Sequence, residues 1–353
     1  MRVHIIQPAI PKYRVPFFNK ITNRYSCRFI STKRDFLGVN SEEIIGDAVI
    51  SNGFFSFLSL IYWHKSLPLI KGYKKEDIVV VNGNPRVINY MLLIFLLKIR
   101  GIKVVWWGHG WSAGSHGILS KIRIKLMKIA DAVLVYTEKE KKLLSFNNIY
   151  AINNGLNSKE MKFDFKYKKK FAPKKLTLVF IGRITEKSNF SMLIEALSRL
   201  KGNVHLNVVG SCDSIDSYYK LADSLEVQNQ ISWLGPLFQE DEISDVMLNS
   251  DVFVYPGSVG LSMIHAFNYA LPVIVHSDEK HHMPEFAAFK NGINGVSFLN
   301  KDINDLVDKI TYFQNIDFID YDNMSKNALY TVQETYNVDD MFLRFDSMIR
   351  NLS

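Results

Sequence analysis

Residues 250–272 read SDVFVYPGSVGLSMIHAFNYALP and contain the pattern that decides the fold. Asp251–Tyr255 is a short apolar run typical of a β-strand, Pro256 and Gly257 interrupt it, and Gly260 opens a segment with helical spacing. A helix that begins at a glycine lets backbone N–H groups and the positive end of the helix dipole approach an anion closely. The stretch therefore predicts a strand, a turn and a helix, with a phosphate site at the turn. The alternative is an ordinary strand-to-helix connection that binds no ligand.

Length and composition indicate two domains without a membrane span. The chain has 353 residues, of which 47% are apolar, and this is enough for two cores. Residues 1–8 enter a strand pattern directly, so no secretion signal is predicted. The longest apolar runs, 54–63 and 90–97, fall short of the roughly 20 residues that a membrane helix needs. Cys27 and Cys212 lack metal-ligand spacing and fit a reducing cytoplasm.

Charge is distributed unevenly along the chain. Residues 1–157 carry a net charge of +14, residues 158–175 carry +6 and the remainder carries −12. A basic front half indicates an anionic partner. No recognition helix, zinc pattern or RNA-binding motif accompanies the charge, so an anionic membrane surface or a phosphorylated acceptor is favoured over nucleic acid. A basic face that is merely solvated stays open as the alternative.

Apolar runs alternate with helical spacing through the first half. Val3–Gln7, Ile78–Asn82 and Lys103–Trp107 predict strands that are apolar throughout, which is typical of a parallel sheet covered by helices on both faces. Ligands in that architecture lie beyond the carboxyl ends of the strands. Three segments are predicted to share this rim: Pro8–Arg14, Asn82–Asn84 and Gly108–Trp111.

Residues 54–75, FFSFLSLIYWHKSLPLIKGYKK, break this pattern with many aromatic residues, leucines and lysines. A stretch of this composition can lie in the headgroup region of a bilayer. An ordinary core helix with a basic end is the alternative.

The second half repeats the alternation of strands and helices. Strands are predicted at Leu176–Ile181, Val204–Val209 and Ile231–Leu234, and the series leads into residues 250–272. Lys162–Lys175 contains seven lysines and reads as an exposed connector. The predicted organisation is a first domain at 1–157, a basic linker at 158–175, a second domain at 176–336 and a final helix within 337–353.

Seven motifs of the second half occur in the order and spacing of a known family. They are FIGRITEKSNFSMLIEAL from Phe180, VVG ending at Gly210, WLGPL ending at Leu237, DVFVYPGSVGLSMIHA from Asp251, LPVI from Leu271, MPEF from Met283 and NGINGV from Asn291. This region resembles the nucleotide-sugar domain of the retaining glycosyltransferases of family 4, of the bacterial capsule and O-antigen type. The first half matches in architecture and in the GHG that follows a strand.

The resemblance implies the GT-B fold, in which two Rossmann-like doubly wound α/β domains face a cleft. The first domain is then the acceptor side, the second binds the nucleotide sugar, and the final helix packs back on the first. The resemblance implies catalytic roles for His109, Arg183 and Lys187, because fixed cations stabilise the departing diphosphate. Family sequences usually place the lysine one position later, where this chain has Ser188.

Donor and acceptor roles follow from the same motifs. The residues expected to bind the donor are Gly182, Gly210, Leu234, Gly257, Gly260, Leu261, Ser262, His265 and Glu285. The acceptor side is expected at Arg14, Asn82 and Asn84, on the predicted rim. Many family members have two glutamates where this chain has Gly257 and His265, so neither position carries a carboxylate here. Asp320 and Asp322 form a D-x-D, but in a polar C-terminal segment, so no metal site is predicted.

The sequence therefore predicts a cytoplasmic enzyme on the inner face of a bacterial membrane. It is expected to move a sugar from a UDP- or GDP-linked donor to a lipid-linked or polysaccharide acceptor, with retention of configuration and without metal or other cofactor. The pathway implied is the synthesis of capsule or lipopolysaccharide O-antigen. Two alternatives are a catalytically impaired scaffold that binds sugar nucleotides and a GT-B nucleotide-sugar epimerase. Nucleic acid is not an expected partner.

Overall fold

The computed structural model of the chain describes residues 1–111, 117–161, 163–166, 168, 170–171, 175–200 and 203–353. These residues form two units: one is Met1–Asn157 together with Val338–Ser353, and the other is Ser158–Asn337. Part of the predicted linker, namely residues 162, 167, 169 and 172–174, lies outside the described residues. Within the described ranges, no helix has the length and apolar character needed to cross a bilayer.

Strands and helices alternate in both units. The strands are β1 (Val3–Ile6), β2 (Cys27–Thr32), β3 (Asp47–Ser51), β4 (Phe54–Phe57), β5 (Ile61–His64), β6 (Ile78–Asn82), β7 (Lys103–Trp107), β8 (Ala132–Val135), β9 (Ile149–Ala151), β10 (Lys175–Ile181), β11 (Asn203–Val209), β12 (Ile231–Gly235), β13 (Val252–Tyr255), β14 (Val273–His276) and β15 (Gly295–Phe298). The helices are α1 (Val15–Arg24), α2 (Ile88–Ile99), α3 (Ile118–Met127), α4 (Glu138–Leu144), α5 (Phe190–Arg199), α6 (Ile215–Ser224), α7 (Glu240–Leu248), α8 (Leu261–Asn268), α9 (Ile303–Asn315), α10 (Phe318–Glu334) and α11 (Val338–Leu352).

The first unit contains a seven-stranded parallel sheet in the order β3-β2-β1-β6-β7-β8-β9. The chain moves outward in one direction from β1 and then in the other from β6, which makes the sheet doubly wound. The strands are short runs of Val, Ile, Phe and Trp that are buried on both faces, as parallel strands require. Two apolar clusters cover the two faces of this sheet.

The last helix of the chain belongs to the first unit. One face of α11 joins the apolar cluster with α1, and the Phe345 ring meets the Phe17 ring edge-on at 5.8 Å. Arg344 donates to Glu138 at 2.5 Å and to Asp340 at 2.7 Å. The helix therefore completes the core on one face of the first sheet.

The helix considered for residues 54–75 is wrong. β4 and β5 form an antiparallel hairpin, with Phe55 opposite Trp63 and Phe57 opposite Ile61. The period of two in this segment, with Tyr62 and His64 buried and Ile61 and Trp63 exposed, is that of a strand. Aromatic and β-branched residues favour this conformation over a helix.

The second unit contains a six-stranded parallel sheet in the order β12-β11-β10-β13-β14-β15. This is again a doubly wound order, and its switch point lies between β10 and β13. The prediction of two doubly wound α/β domains is confirmed. The predicted exposed linker differs in part, because Lys168 donates from Nζ to the Ala270 carbonyl at 2.5 Å and the Phe171 ring stacks on Tyr321 at 3.7 Å.

Candidate functional site

The carboxyl edge of the second sheet is built from glycines at its switch point. Gly182 follows β10 and Gly210 follows β11, with φ of 150° and 155°. A Cβ added to Gly210 would overlap the carbonyl oxygen of Gly182, so the two main chains touch. Gly182 also donates its N–H to Val209 at 2.9 Å. The absence of side chains here leaves main-chain surface for a ligand at the edge where doubly wound sheets bind theirs.

Gly257 holds the turn after β13 against a neighbouring loop. A Cβ at this position would overlap the carbonyl oxygen of Lys187 and would lie 2.5 Å from the carbonyl carbon of Ser188. The same carbonyl of Lys187 accepts the N–H of Ser258 at 2.9 Å. A glutamate at position 257, as in many members of the family that the sequence resembles, does not fit this backbone.

The turn leads directly into the N-terminus of α8. The N-cap is Gly260, which has no side chain to satisfy the first N–H groups of the helix. Leu261 and Ser262 are the first two residues of α8, so their amides lie in the positive end of the helix dipole. This end is suited to an anion such as a phosphate.

A pair of buried histidines fixes the turn before α8. The N–H of Val259 donates to Nδ1 of His282 at 3.2 Å, and Nε2 of His282 donates to the carbonyl of His276 at 2.8 Å. These partners require the neutral Nε2–H tautomer. Burial, together with the nearby charge of His276, lowers the pKa of His282 to about 3, and burial lowers the pKa of His276 to about 4.

Glu285 lies beside the same helix start. It is buried, and a Cβ on Gly260 would lie 3.6 Å from its Oε2 atom. Glu285 is in a short 3-10 helix at Pro284–Ala288, and the preceding Met283 donates its N–H to the carbonyl of Val259 at 3.0 Å. The residue expected to bind the donor is therefore part of the wall around the α8 N-terminus.

The two predicted cations flank this edge. Arg183 follows Gly182 and is exposed, with one guanidinium nitrogen 3.6 Å from Asp213. Lys187 is exposed in a 3-10 helix at Glu186–Ser188. Ser188 is buried, and its hydroxyl donates to the Thr185 carbonyl at 2.6 Å while accepting the Thr185 N–H. Position 188 therefore faces inward, and position 187 carries the exposed cation of this loop.

His265, on α8, is held by a carboxylate from another helix. Its Nε2 lies 2.7 Å from Oε1 of Glu240, the first residue of α7. The hydroxyl of Tyr269 donates to the same oxygen at 2.5 Å and contacts Ser244 Oγ at 2.6 Å. Because a carboxylate only accepts, the neutral ring carries its hydrogen on Nε2 and leaves Nδ1 as its acceptor. This cluster brings a carboxylate into contact with position 265, where many members of the resembling family have a glutamate.

Leu234 is exposed at the end of β12, and the next residue, Gly235, accepts the N–H of Gly210 at 2.9 Å. It therefore lies on the same carboxyl edge as the glycines.

In the first unit, His109 is oriented by a buried carboxylate. Its Nδ1 lies 3.1 Å from Oε1 of Glu140, and its ring lies 4.2 Å from that of Tyr136. The other oxygen of Glu140 accepts the N–H of Tyr136 at 2.9 Å. Thr137 caps α4 and fixes Glu140 on its first turn. The carboxylate accepts a hydrogen bond from Nδ1–H, so the neutral ring presents Nε2 as an acceptor.

The predicted acceptor-side residues occupy one rim of the first sheet. Arg14 is buried, with its guanidinium carbon 4.7 Å from the Trp107 ring and 5.4 Å from the Tyr136 ring. The Nδ2 of Asn82 donates to Gln7 at 3.2 Å. Asn84 accepts the N–H of Arg86 at 3.1 Å and so closes its own loop. The Arg14 guanidinium on this rim stacks against its aromatic neighbours.

The D-x-D lies at the start of α10. Asp320 and Asp322 are in the first turns of α10, where the N–H of Asp320 donates to the capping Asp317 at 2.8 Å and Asp322 pairs with Lys326 at 2.6 Å. Both aspartates have roles in forming the helix.

Comparisons with known proteins agree with this architecture. Residues 161–329 match the family model described as Glycosyl transferases group 1. The lipopolysaccharide outer core galactosyltransferase WaaB, in its apo form, superposes over 100% of both chains with 15% identity and a TM-score of 0.71. Anabaena HepE in complex with UDP superposes over 99% of both chains with 13% identity and a TM-score of 0.73.

The fold is GT-B. A third structure of this fold, sucrose-phosphate synthase from Thermosynechococcus elongatus, has 14% identity and a TM-score of 0.70 over 100% of this chain and 99% of its own. Comparison with curated proteins gives no match. The family match covers the second GT-B domain, where the glycine-lined edge and the α8 N-terminus lie.

Two carboxylates of the candidate site were missed by sequence reasoning. Glu140 supports His109, and Glu240 supports His265. The signal for Glu140 was its position three residues after Thr137, which is a capping-box spacing. Glu240 has no such signal, because its partners are 25 and 29 residues away in the sequence.

Proposed function

We propose that this protein is a glycosyltransferase that uses a nucleotide-sugar donor. The observation that carries the proposal is the edge between β10 and β13, where touching glycine main chains, the uncapped start of α8 and the exposed Arg183 and Lys187 occur together. The match of residues 161–329 to group 1 glycosyl transferases supports the same assignment.

The diphosphate of the donor is proposed to lie at the N-terminus of α8. Amides of Leu261 and Ser262 and the helix dipole supply positive potential there. Arg183 and Lys187 add full charges that stabilise the phosphate oxygens as the bond to the sugar breaks. Since cations and amides can hold this charge, the proposal includes transfer without a metal ion.

The ribose of the donor is proposed to contact the His265–Glu240 pair. With the hydrogen on Nε2 directed to Glu240, Nδ1 of His265 accepts a hydrogen bond from a ribose hydroxyl. The pair takes the place of the glutamate found at this position in many family members. HepE was solved with UDP, with UDP and glucose and with UDP-glucose, which supports a UDP-linked donor over a GDP-linked one.

Transfer is proposed to retain the configuration of the sugar. An acceptor hydroxyl attacks the anomeric carbon on the face from which the diphosphate leaves, the glycosidic oxygen departs with the nucleotide, and the hydroxyl proton passes to the departing phosphate. His109 is proposed to bind a hydroxyl of the transferred sugar through Nε2, with Glu140 holding the ring. Arg14, Asn82 and Asn84 are proposed to belong to the acceptor side.

The proposed acceptor is a lipid-linked saccharide in the synthesis of lipopolysaccharide or capsule, at the cytoplasmic face of a bacterial membrane. The similarity of fold to WaaB and the +14 net charge of residues 1–157 support this choice. An anionic membrane surface is then the place where the enzyme meets its acceptor.

The test is a thermal-shift and saturation-transfer screen of the purified protein against UDP-, GDP- and other nucleotide sugars, with and without a lipid extract. The proposal expects one donor to bind and to be turned over when lipid is added, with binding strongly reduced in Arg183→Ala. Binding without turnover would favour the sugar-nucleotide scaffold, and interconversion of the donor without lipid would favour an epimerase. The absence of binding by any nucleotide sugar would overturn the proposal.

A further inference from the structure

The β4–β5 hairpin of the first unit presents an apolar outer face to solvent. Phe55 pairs with Trp63 and Phe57 pairs with Ile61, and directly opposite residues of an antiparallel pair share one face. All four side chains are exposed. Exposed groups of large apolar residues on a protein surface mark sites of interaction.

The tip of the hairpin extends this apolar face. Leu58 and Ser59 are the two central residues of the turn, with φ of 48° and 53°, and Leu60 donates its N–H to Phe57 at 3.0 Å. Such a turn normally contains Asn or Gly, because a left-handed conformation is unfavourable for a leucine. Leu58 and Leu60 are nevertheless both exposed at the tip. Backbone strain at an exposed apolar residue points to a function for that residue.

The tip is held in place by Arg86. Its guanidinium donates to the carbonyls of Ser59 at 2.6 Å and Leu60 at 3.0 Å, while its own carbonyl accepts the N–H of Tyr62 at 2.7 Å. The ammonium group of Lys65 lies 4.4 Å from the centre of the Phe55 ring. The apolar face is therefore part of an ordered structure, with cations next to it.

A second exposed apolar stripe begins where the hairpin is attached. Val87, which precedes α2, bridges to Tyr62 of β5. Along α2, Ile88, Leu92, Phe95 and Ile99 recur at helical spacing and are all exposed. The stripe begins directly after Arg86 and Val87, which contact the hairpin, so it adjoins the hairpin both in sequence and in the fold.

The surrounding sequence is strongly basic. Residues 48–130 contain 12 lysines and arginines and two carboxylates, Glu76 and Asp77. Asp77 is buried, where its carboxylate accepts the N–H groups of Arg2 and Lys74, each at 2.9 Å. An apolar face within a basic segment is complementary to the surface of an anionic bilayer, where negative headgroups cover an apolar interior.

We propose that the β4–β5 hairpin and the exposed stripe of α2 form the surface by which this protein docks on an anionic lipid bilayer. The tip leucines and outer aromatic side chains enter the headgroup boundary, and the lysines contact lipid phosphates. The assignment of this surface rests on the membrane association in the proposed function. A second copy of the chain fits this surface less well, because a self-complementary contact would bring two basic segments together.

The test measures sedimentation of the full chain with vesicles of phosphatidylcholine alone and of phosphatidylcholine mixed with phosphatidylglycerol. The variant is Phe57→Ser/Leu58→Ser, whose side chains are 68% and 75% exposed. The matched control is Phe318→Ser/Ile319→Ser in the second unit, where an adjacent apolar pair is 64% and 70% exposed. Quenching of tryptophan fluorescence by brominated lipid, compared between the wild type and Trp63→Phe, reports insertion of the outer face.

The proposal expects binding to the anionic vesicles that weakens with salt, falls by about tenfold or more in Phe57→Ser/Leu58→Ser and is unchanged in the control pair. Nucleotide-sugar binding, measured on the same variants, separates this proposal from the transfer reaction, and it should be unchanged. Equal vesicle binding by wild type and hairpin variant would overturn the assignment of the surface. No binding to either vesicle, or a dimer that the hairpin variant abolishes, would overturn the bilayer as its partner.

Discussion

The Nε2 atom of His265 lies 2.7 Å from Oε1 of Glu240, and this contact joins the start of α7 to the helix that follows the glycine turn. A histidine alone has two neutral tautomers that can exchange roles at a ligand. The carboxylate selects one of them, so the ring meets a ligand with a defined acceptor. The pair therefore has a fixed hydrogen-bonding pattern, as a glutamate would.

Replacing Glu240 should weaken binding of nucleoside diphosphates that carry a ribose diol. We expect Glu240→Ala to reduce affinity about tenfold, the equivalent of one lost hydrogen bond of about 1.4 kcal/mol, because Nδ1 is no longer a constant acceptor. Calorimetric titration with UDP and with 2′- and 3′-deoxy analogues checks this. The wild type should discriminate against at least one deoxy analogue, and the variant should not.

The control for this effect is Glu242→Ala, which removes an exposed carboxylate from the same first turn of α7. It changes the charge near the helix dipole by the same amount. If both variants weakened UDP binding equally, or if Glu240→Ala kept full discrimination against the deoxy analogue, the role of the pair would be wrong.

A glutamate at position 265, the residue found there in many members of the resembling family, should not support binding by itself. His265→Glu places a second carboxylate against Glu240, and two like charges at this distance oppose each other. We expect the single variant to bind nucleotide more weakly than wild type, and the double variant His265→Glu/Glu240→Gln to recover much of the loss. A double-mutant cycle of UDP affinity measures this coupling. Additive effects of the two substitutions would show that the residues do not act together.

The local elements of the fold could be predicted from sequence because their patterns are local. Ile78–Asn82 and Lys103–Trp107 are strands with the predicted bounds, since each is an apolar run ended by glycine. The hairpin at β4 and β5 was missed, because its turn uses Leu58 and Ser59 in the left-handed conformation where a glycine or asparagine would have indicated it.

In the candidate site, too, residues in continuous motifs could be predicted from sequence, whereas contacts between distant elements could not. Arg183 and Gly260 lie in continuous motifs and could be placed from sequence. The contact of Glu240 with His265 forms only when two helices pack, and no spacing rule relates their positions. The same holds for the close approach of Gly257 to the Lys187 loop. A side chain at position 257, including the glutamate of the resembling family, would overlap the Lys187 carbonyl.

Removal of the ammonium group of Lys187 should weaken diphosphate binding. We expect Lys187→Ala to lower the affinity for UDP about tenfold and the affinity for uridine very little, because the charge acts on the phosphates. Lys220→Ala, an exposed lysine on α6, is the control. Isothermal titration at two salt concentrations checks this, and an equal loss of uridine and UDP binding would place Lys187 elsewhere than at the diphosphate.

Gly257 should tolerate no side chain. Gly257→Ala brings a Cβ onto the Lys187 carbonyl, and we expect it to lower the free energy of unfolding by about 3 kcal/mol and to weaken UDP binding. Gly235→Ala is the comparison, since its φ is 68° and no atom lies within 4 Å of the added Cβ. Gly235→Ala should lower the free energy of unfolding by only about 1 kcal/mol, the cost of placing an alanine in a left-handed conformation. Urea denaturation of both variants measures the difference, and equal losses would show that contact with the Lys187 loop is unimportant.

The buried histidines should make the second unit sensitive to acid. The pKa of His282 is lowered to about 3 and that of His276 to about 4, against a usual value of 6.5. Below about pH 6.5 the unfolded chain therefore binds protons that the folded chain does not, and the free energy of unfolding falls as the pH decreases toward 4. Above pH 6.5 these histidines are neutral in both the folded and the unfolded chain, so they cause no loss of stability there. His64, whose pKa is also lowered to about 4, adds the same trend in the first unit.

His282→Asn should reduce that dependence on pH. Asparagine retains an acceptor for the Val259 N–H but binds no proton, so the free energy of unfolding should fall less steeply between pH 6.5 and 4. At pH 7 the variant should be less stable by about 1 kcal/mol, because the stacked ring and the bond to the His276 carbonyl are lost. Thermal unfolding across this pH range measures both effects. His281→Asn, which changes an exposed imidazole that pairs with Asp278, is the control. A slope unchanged in His282→Asn, or reduced equally in His281→Asn, would mean that protonation of the buried pair does not control the acid stability of the turn before α8.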